Sequence, residues 1–356
     1  MTHLLLYENS PDIRALRAAR FLADQPGIRV TFCYHENDPQ ERYKIPPYGK
    51  VTWVKLRRNV DEATDELNRQ AKRADALLHF ASPGSLLGLA CRVAKRADIP
   101  LIWDPCDLMA FVREFRELTM HERVASKRAA TIVLWADCIR EPFDKAYGRV
   151  GDIHIVQNYP ADWCISDMGL KRNVDVVYAG SVSSNPRNHR YFEPWFRKIM
   201  EILTPLGRTM DLIPDASTTP YQRITRDHPG FQIRVAVPAD QVIANLRAYK
   251  VGLSPMQPHP DCPGYWAPNK VYEYLAAGCQ VVARDDIEDV ELFLPREDTR
   301  EAYAEAVLAA LDEEEHVADV HRFEDVAGGY LDAIKAAGVT IDPPKAKKKK
   351  AKVKAK

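Results

Sequence analysis

Residues 267–285 read APNKVYEYLAAGCQVVARD, and the rest of the chain is best read outward from them. Pro268 suits the first turn of a helix, where its missing N–H would be unpaired in any case. Val271, Tyr274, Leu275 and Gly278 recur at helical spacing and define one buried face. Lys270 and Glu273 stand three apart, so they share a different face one turn from the helix start. Gly278 is placed to take the left-handed conformation that ends a helix. Residues 280–283, QVVA, have the composition of a strand buried on both faces. The unit is therefore a short helix feeding a parallel strand, with a basic and an acidic side chain facing outward near the helix start.

The same alternation runs along the whole chain. Strands are expected at 4–7, 28–34, 51–56, 76–80, 101–103, 131–134 and 153–156, with helices at 13–23, 61–73, 86–97, 111–130 and 139–147. Ser10 and Pro11 read as an N-cap and first-turn pair for the first helix. After Asn158-Tyr159-Pro160 and a polar stretch the pattern restarts. Strands at 174–179, 210–213, 231–235, 250–253 and 280–283 alternate with helices at 191–203, 240–246, 300–311 and 323–337. Helices between successive strands mean parallel sheets covered on both faces. The fold class is α/β: two Rossmann-like doubly wound domains facing across a cleft. Domain one is expected at 1–160, the linker at 161–173 and domain two at 174–340; 343–356 is a lysine-rich tail.

At 356 residues the chain is long enough for two cores. No apolar stretch approaches the twenty or so residues that span a bilayer, and the start lacks the basic region of a signal peptide. Seven scattered cysteines without a C-x-x-C pair make neither a disulfide framework nor a zinc site. The expected location is cytoplasmic. The formal net charge is zero, but KAKKKKAKVKAK (345–356) holds eight lysines and no acid; the remainder carries 42 basic against 50 acidic residues, a net −8. Such a tail is expected to be disordered and to favour anionic polymers or membrane surfaces, or to act only as a solubilising segment. No P-loop is present, and no G-x-G-x-x-G follows a strand, which argues against an NAD dehydrogenase.

The register Pro268, Lys270, Glu273, Tyr274, Leu275, Ala276, Gly278, Val281, Val282, Ala283 resembles the nucleotide-sugar signature of GT-B glycosyltransferases, above all their large retaining group. The resemblance implies transfer of a hexosyl or pentosyl group from a nucleoside-diphosphate sugar to an acceptor hydroxyl, with no cofactor and no metal. It implies that Glu273 accepts hydrogen bonds from the donor ribose, that Lys270 and the neighbouring Asn269 lie near the diphosphate, and that the last helix of domain two crosses back onto the first domain. In VDVVYAGSV, Gly180 and Ser181 form the turn where backbone approaches a phosphate, and Arg187 follows at the family's basic position, with Arg190 as a second candidate. Against these stand plain structural roles, such as an exposed helix carboxylate or a solvated arginine.

Three departures from the family pattern stand out. The retaining enzymes carry an acid eight residues before the ribose-binding Glu; here that position is Tyr265, and Asp261 is the nearest acid. Tyr265 and Trp266 remain candidates to contact the sugar, or to pack within the loop. The His-Asp pair expected after the fifth strand reads Cys106-Asp107. Asp107 or Asp104 is the candidate proton acceptor for an acceptor hydroxyl, as an inverting reaction needs, or else a helix cap. His79 reads as a core histidine that ends a strand on the cleft side. Glu8-Asn9-Ser10 replaces the glycines usual after the first strand. The first candidate for the acceptor is a glycan or a lipid-linked precursor. A phage-type DNA glycosyltransferase acting on a hydroxylated base, with the tail holding DNA, and a non-catalytic nucleotide-sugar-binding protein are the alternatives.

Overall fold

The computed structural model describes residues 1–35, 48–57, 59–80, 84–105, 108, 119–148, 152–165, 172–188, 190–214, 220–258, 268–287, 290–313 and 321–341. Seven strands, β1 (Thr2–Glu8), β2 (Ile28–Tyr34), β3 (Val51–Lys55), β4 (Ala76–Phe80), β5 (Leu101–Asp104), β6 (Thr131–Leu134) and β7 (Asp152–Ile155), form a sheet in the order β3-β2-β1-β4-β5-β6-β7. Five more, β8 (Val174–Ala179), β9 (Met210–Ile213), β10 (Phe231–Ile233), β11 (Tyr249–Ser254) and β12 (Gln280–Ala283), form a second in the order β10-β9-β8-β11-β12. Every pairing is parallel. The central strands explain why: THLLLYE of β1 is buried along its whole length, as a strand covered on both faces must be.

The first sheet carries α1 (Ile13–Asp24), α2 (Val60–Ala71), α3 (Ser85–Ala97), α4 (Met120–Arg128) and α5 (Arg140–Tyr147). The second carries α6 (Glu193–Leu203), α7 (Gln222–Asp227), α8 (Val242–Leu246), α9 (Asn269–Ala276) and α10 (Arg300–Asp312). The chain then returns through α11 (Phe323–Val326) to α12 (Gly328–Ala336), which packs on the first sheet. There Thr131 donates to the Ala333 carbonyl at 3.2 Å. A Cβ on Gly329 would lie 2.9 Å from the Ile155 carbonyl oxygen, so only glycine admits this close approach. In each sheet the strand order reverses beside the first strand, between β1 and β4 and between β8 and β11. Ligands of open α/β sheets bind at such points, beyond the carboxyl ends of the strands.

Local details differ from the sequence expectation in instructive ways. The N-cap of α1 is Asp12, whose side chain accepts from the Ala15 N–H at 2.8 Å, and not Ser10. The Glu8 carboxylate accepts from the Asp12 N–H at 3.0 Å, which fixes the turn before the helix and leaves Ser10 and Pro11 outside it. Pro268 caps α9 rather than occupying its first turn. QRITRD (222–227) forms a helix although its polar composition gave no periodic signal. The expected helix 323–337 is broken into α11 and α12. Of the expected helix 111–130, the described part is α4, with Thr119 and Glu122 forming a capping box; residues 111–118 and the lysine tail lie outside the described residues.

Candidate functional site

The carboxyl end of β8 and the start of α9 are locked together by Tyr274. Its ring lies over Gly252 of β11 so closely that a Cβ there would sit 2.3 Å from the ring carbon Cγ. Its hydroxyl accepts from the Ala179 N–H at 2.7 Å, satisfying the last backbone donor of β8. Lys270, one turn before Tyr274, is thereby delivered to the glycine turn that follows the strand. Gly180 has φ of 134°, and a Cβ on it would lie 3.1 Å from Lys270 Nζ. Lys270 Nζ donates to the Tyr178 hydroxyl at 2.7 Å, and that hydroxyl donates to the Ser181 carbonyl at 2.8 Å. Lys270, Gly180 and Ser181, singled out separately in the sequence, thus meet at one spot. A glycine turn, an ammonium group and a helix N-terminus are groups whose chemistry suits an anion.

Glu273 does not simply face solvent. Its Oε1 accepts from Arg17 Nη2 at 2.8 Å, an ion pair in which the arginine side chain is 1% exposed and the carboxylate 17%. Arg17 Nη1 donates to Asn269 Oδ1 at 2.8 Å and to the Asn158 carbonyl at 3.2 Å. So one guanidinium from α1 grips two residues of α9 that stand four apart on one helix face. The carboxylate therefore lies at the seam between the two sheets, next to Tyr272, whose ring meets Tyr159 edge-on at 4.8 Å. Glu273 keeps one oxygen, Oε2, without a hydrogen bond among the described residues.

The edge of the first sheet is different. Asp104 is 1% exposed. Both its oxygens accept from Arg14 Nε, at 2.8 and 3.1 Å, and Tyr330 of α12 donates to Oδ2. Burial pushes its carboxyl upward while Arg14 and Tyr330 pull it back. The expectation that Asp104 receives a proton from an acceptor hydroxyl is corrected on this point: it is a buried anchor that ties α1 to α12. Arg14 also donates to the Val156 carbonyl at 2.7 Å and to Asn158 Oδ1 at 2.9 Å. His79, buried on β4, meets the Tyr7 carbonyl through Nδ1 at 2.9 Å, and burial holds its pKa down at about 4. It is the core histidine that was expected.

Arg187 is exposed on a loop shaped by Asn185, whose Oδ1 accepts the Arg187 N–H at 3.0 Å. Among the described residues its side chain forms no ion pair and no hydrogen bond to the Lys270 cluster. Arg190 is half-buried, its N–H donating to Asn188 Oδ1 at 2.8 Å. Asp107, Tyr265 and Trp266 lie outside the described residues. Among the described residues no group of three metal-ligating side chains occurs, and no helix is long and apolar enough to cross a membrane. Sequence reading missed Arg14, Arg17 and Tyr178. The signal for the arginines was present as charged residues inside the apolar repeat of 13–23, where a charge persists only if it finds a buried partner.

No family model and no curated protein sequence matches the chain. Solved structures do. Anabaena HepE in complex with UDP and glucose superposes with a TM-score of 0.65 at 15% identity, covering 94% of this chain and 95% of its own. Sucrose-phosphate synthase from Thermosynechococcus elongatus gives 0.61 at 11% identity over 95% and 100%. An alpha-glucosyltransferase in complex with UDP-glucose and DNA containing an abasic site gives 0.57 at 10% identity over 94% and 95%. At such identities the likeness speaks for the architecture. The chain has the GT-B fold: two Rossmann-like domains facing across a cleft.

Proposed function

We propose that the chain is a glycosyltransferase that moves a sugar from a nucleoside diphosphate to an acceptor hydroxyl. The observation that carries this reading is Lys270 Nζ held over the left-handed turn at Gly180, beside the N-terminus of α9, at the switch point of the second sheet. In this reading Lys270 and the backbone at Gly180 and Ser181 receive the diphosphate and neutralise the charge that develops on the departing nucleotide. Glu273 receives the ribose through Oε2, and Asn269 stands beside it. Arg187 adds long-range attraction for the phosphates. Tyr265 and Trp266 supply contacts to the sugar, and Asp107 the acceptor-side carboxylate. The countercharge comes from the protein, so transfer proceeds in the presence of a chelator.

UDP is the first nucleotide to test, because similar structures were solved with UDP or UDP-glucose. The acceptor is a glycan or a lipid-linked precursor. The net −8 of the chain without its lysine tail disfavours an extended DNA groove. The test is a thermal-shift screen against UDP, GDP, ADP and CMP sugars, followed by donor turnover with and without Lys270→Ala. A ligand present at a hundred times its dissociation constant adds about 2.7 kcal/mol of apparent stability. Donor turnover that depends on Lys270 supports transfer. Binding without any turnover leaves a nucleotide-sugar-binding protein, and no binding of any of the four refutes the reading.

A further inference from the structure

The two buried arginines of α1 are one turn apart, and their tasks differ. Arg14 is spent on Asp104, the Val156 carbonyl and Asn158 Oδ1, all on the side of the first sheet. Arg17 crosses the seam and holds Asn269 and Glu273. A guanidinium carries donors only, so the atom of Asn269 that meets Arg17 is the carbonyl oxygen, and its NH2 group is left over as a donor. In the same way, taking Oε1 of Glu273 leaves Oε2 as an acceptor. Neither leftover atom has a hydrogen bond among the described residues. Residues four apart on a helix are surface neighbours. The start of α9 therefore offers one donor and one carboxylate acceptor side by side, which matches a pair of adjacent hydroxyls.

We infer that Arg17 is a positioning residue for the ribose of a nucleoside diphosphate. By holding Glu273 Oε1 and Asn269 Oδ1 at once, it sets Glu273 Oε2 to accept from one ribose hydroxyl and Asn269 Nδ2 to donate to the other. The inference rests on the proposed function, in which Glu273 receives the ribose. A planar two-pronged donor is needed: lysine keeps the charge but cannot fill both positions with the same geometry. Arg17 touches no substrate itself. It acts by fixing which atoms of α9 remain unspent.

The experiment measures binding of UDP and of 2′,3′-dideoxy-UDP by titration calorimetry on the whole chain and on Arg17→Lys and Asn269→Asp. The parent is expected to prefer UDP. Arg17→Lys is expected to lose about tenfold in UDP affinity, the worth of a charged hydrogen bond, while its affinity for the dideoxy compound stays unchanged. Asn269→Asp keeps a partner for Arg17, so it folds, yet it removes the donor and is expected to narrow the same preference. A general loosening of the seam would weaken both nucleotides alike. If the parent prefers UDP and Arg17→Lys retains that preference in full, the positioning role is wrong while the proposed function stands. If the parent does not distinguish the two, or binds neither, Glu273 does not hold a ribose and the reading beneath the inference falls with it.

Discussion

The carboxyl edges of the two sheets start from the same topology and end in opposite chemistry. At the first edge His79 and Asp104 are buried, and Asp104 is claimed by Arg14 and Tyr330. At the second edge Lys270 and Glu273 are only half-buried, and they sit at a glycine turn and a helix start. A strand end at a switch point is thus only an opportunity for binding. What makes it a site is polar capacity left over after folding has satisfied its own demands. By that measure the described part of the first edge is scaffold, and the nucleotide site proposed above falls at the second.

The strongest way to break this contrast is to disturb the first edge and look for an effect at the second. Asp104→Asn leaves the buried Arg14 charge without its counterion, which should cost about 3–5 kcal/mol of stability. Denaturant melts should show that loss, while nucleotide affinity measured on the remaining folded protein holds. The converse variant, Lys270→Ala, should reduce transfer by about a hundredfold or more, the scale for removing one preorganised electrostatic group. Its melting temperature should barely move, and a matching fall in stability would sink the division of labour.

A pH titration sharpens the picture of the first edge. The folded state keeps His79 neutral down to about pH 4, whereas the unfolded chain protonates it below about 6.5. Its depressed pKa means that stability is full above 6.5 and falls as the pH drops towards 4, by about 3 kcal/mol if this group acts alone. His79→Gln should flatten that slope. A smaller effect tests the lock on α9. Tyr274→Phe strands the half-buried Ala179 N–H and should cost about 1 kcal/mol. Nucleotide affinity should fall with it, because Lys270 is carried on the same helix. The smallest effect concerns Arg187, whose exposed charge is worth at most about 1 kcal/mol to a bound diphosphate. Arg187→Ala should raise the donor KM modestly, and the difference should vanish at high salt.

The sequence announced the sheets because buried parallel strands are short apolar runs, and runs such as LLLY, ALLHF and QVVA need no partner to be recognised. It also announced α9, since Val271, Tyr274 and Leu275 repeat at helical spacing and Gly278, with φ of 78°, ends the helix in the conformation expected of it. Tyr274 was visible as a core residue, but its bond to Ala179 was not, because the two lie 95 residues apart. Asp104 misled for the same reason. Its partners Arg14 and Tyr330 are 90 and 226 residues away, and no local period records an ion pair over such separations. The outward-facing Glu273 inferred from helix geometry was turned to the seam by Arg17, 256 residues earlier in the chain. Local rules place side chains on faces; they do not say which remote element will meet the face.

The return of α11 and α12 to the first sheet carries a consequence for how the molecule is made. Phe323 donates its N–H to the Pro160 carbonyl at 2.9 Å, Tyr330 closes over Asp104, and Thr2 donates to the Thr340 carbonyl at 2.9 Å. The second sheet is therefore topologically an insertion within the first lobe. During synthesis the amino-terminal strands emerge long before the segment that covers them, so that lobe waits, partly uncovered, until the other has been extruded. A nascent chain arrested just after β12 would present an unsealed sheet to chaperones, although every one of its seven strands is already in hand.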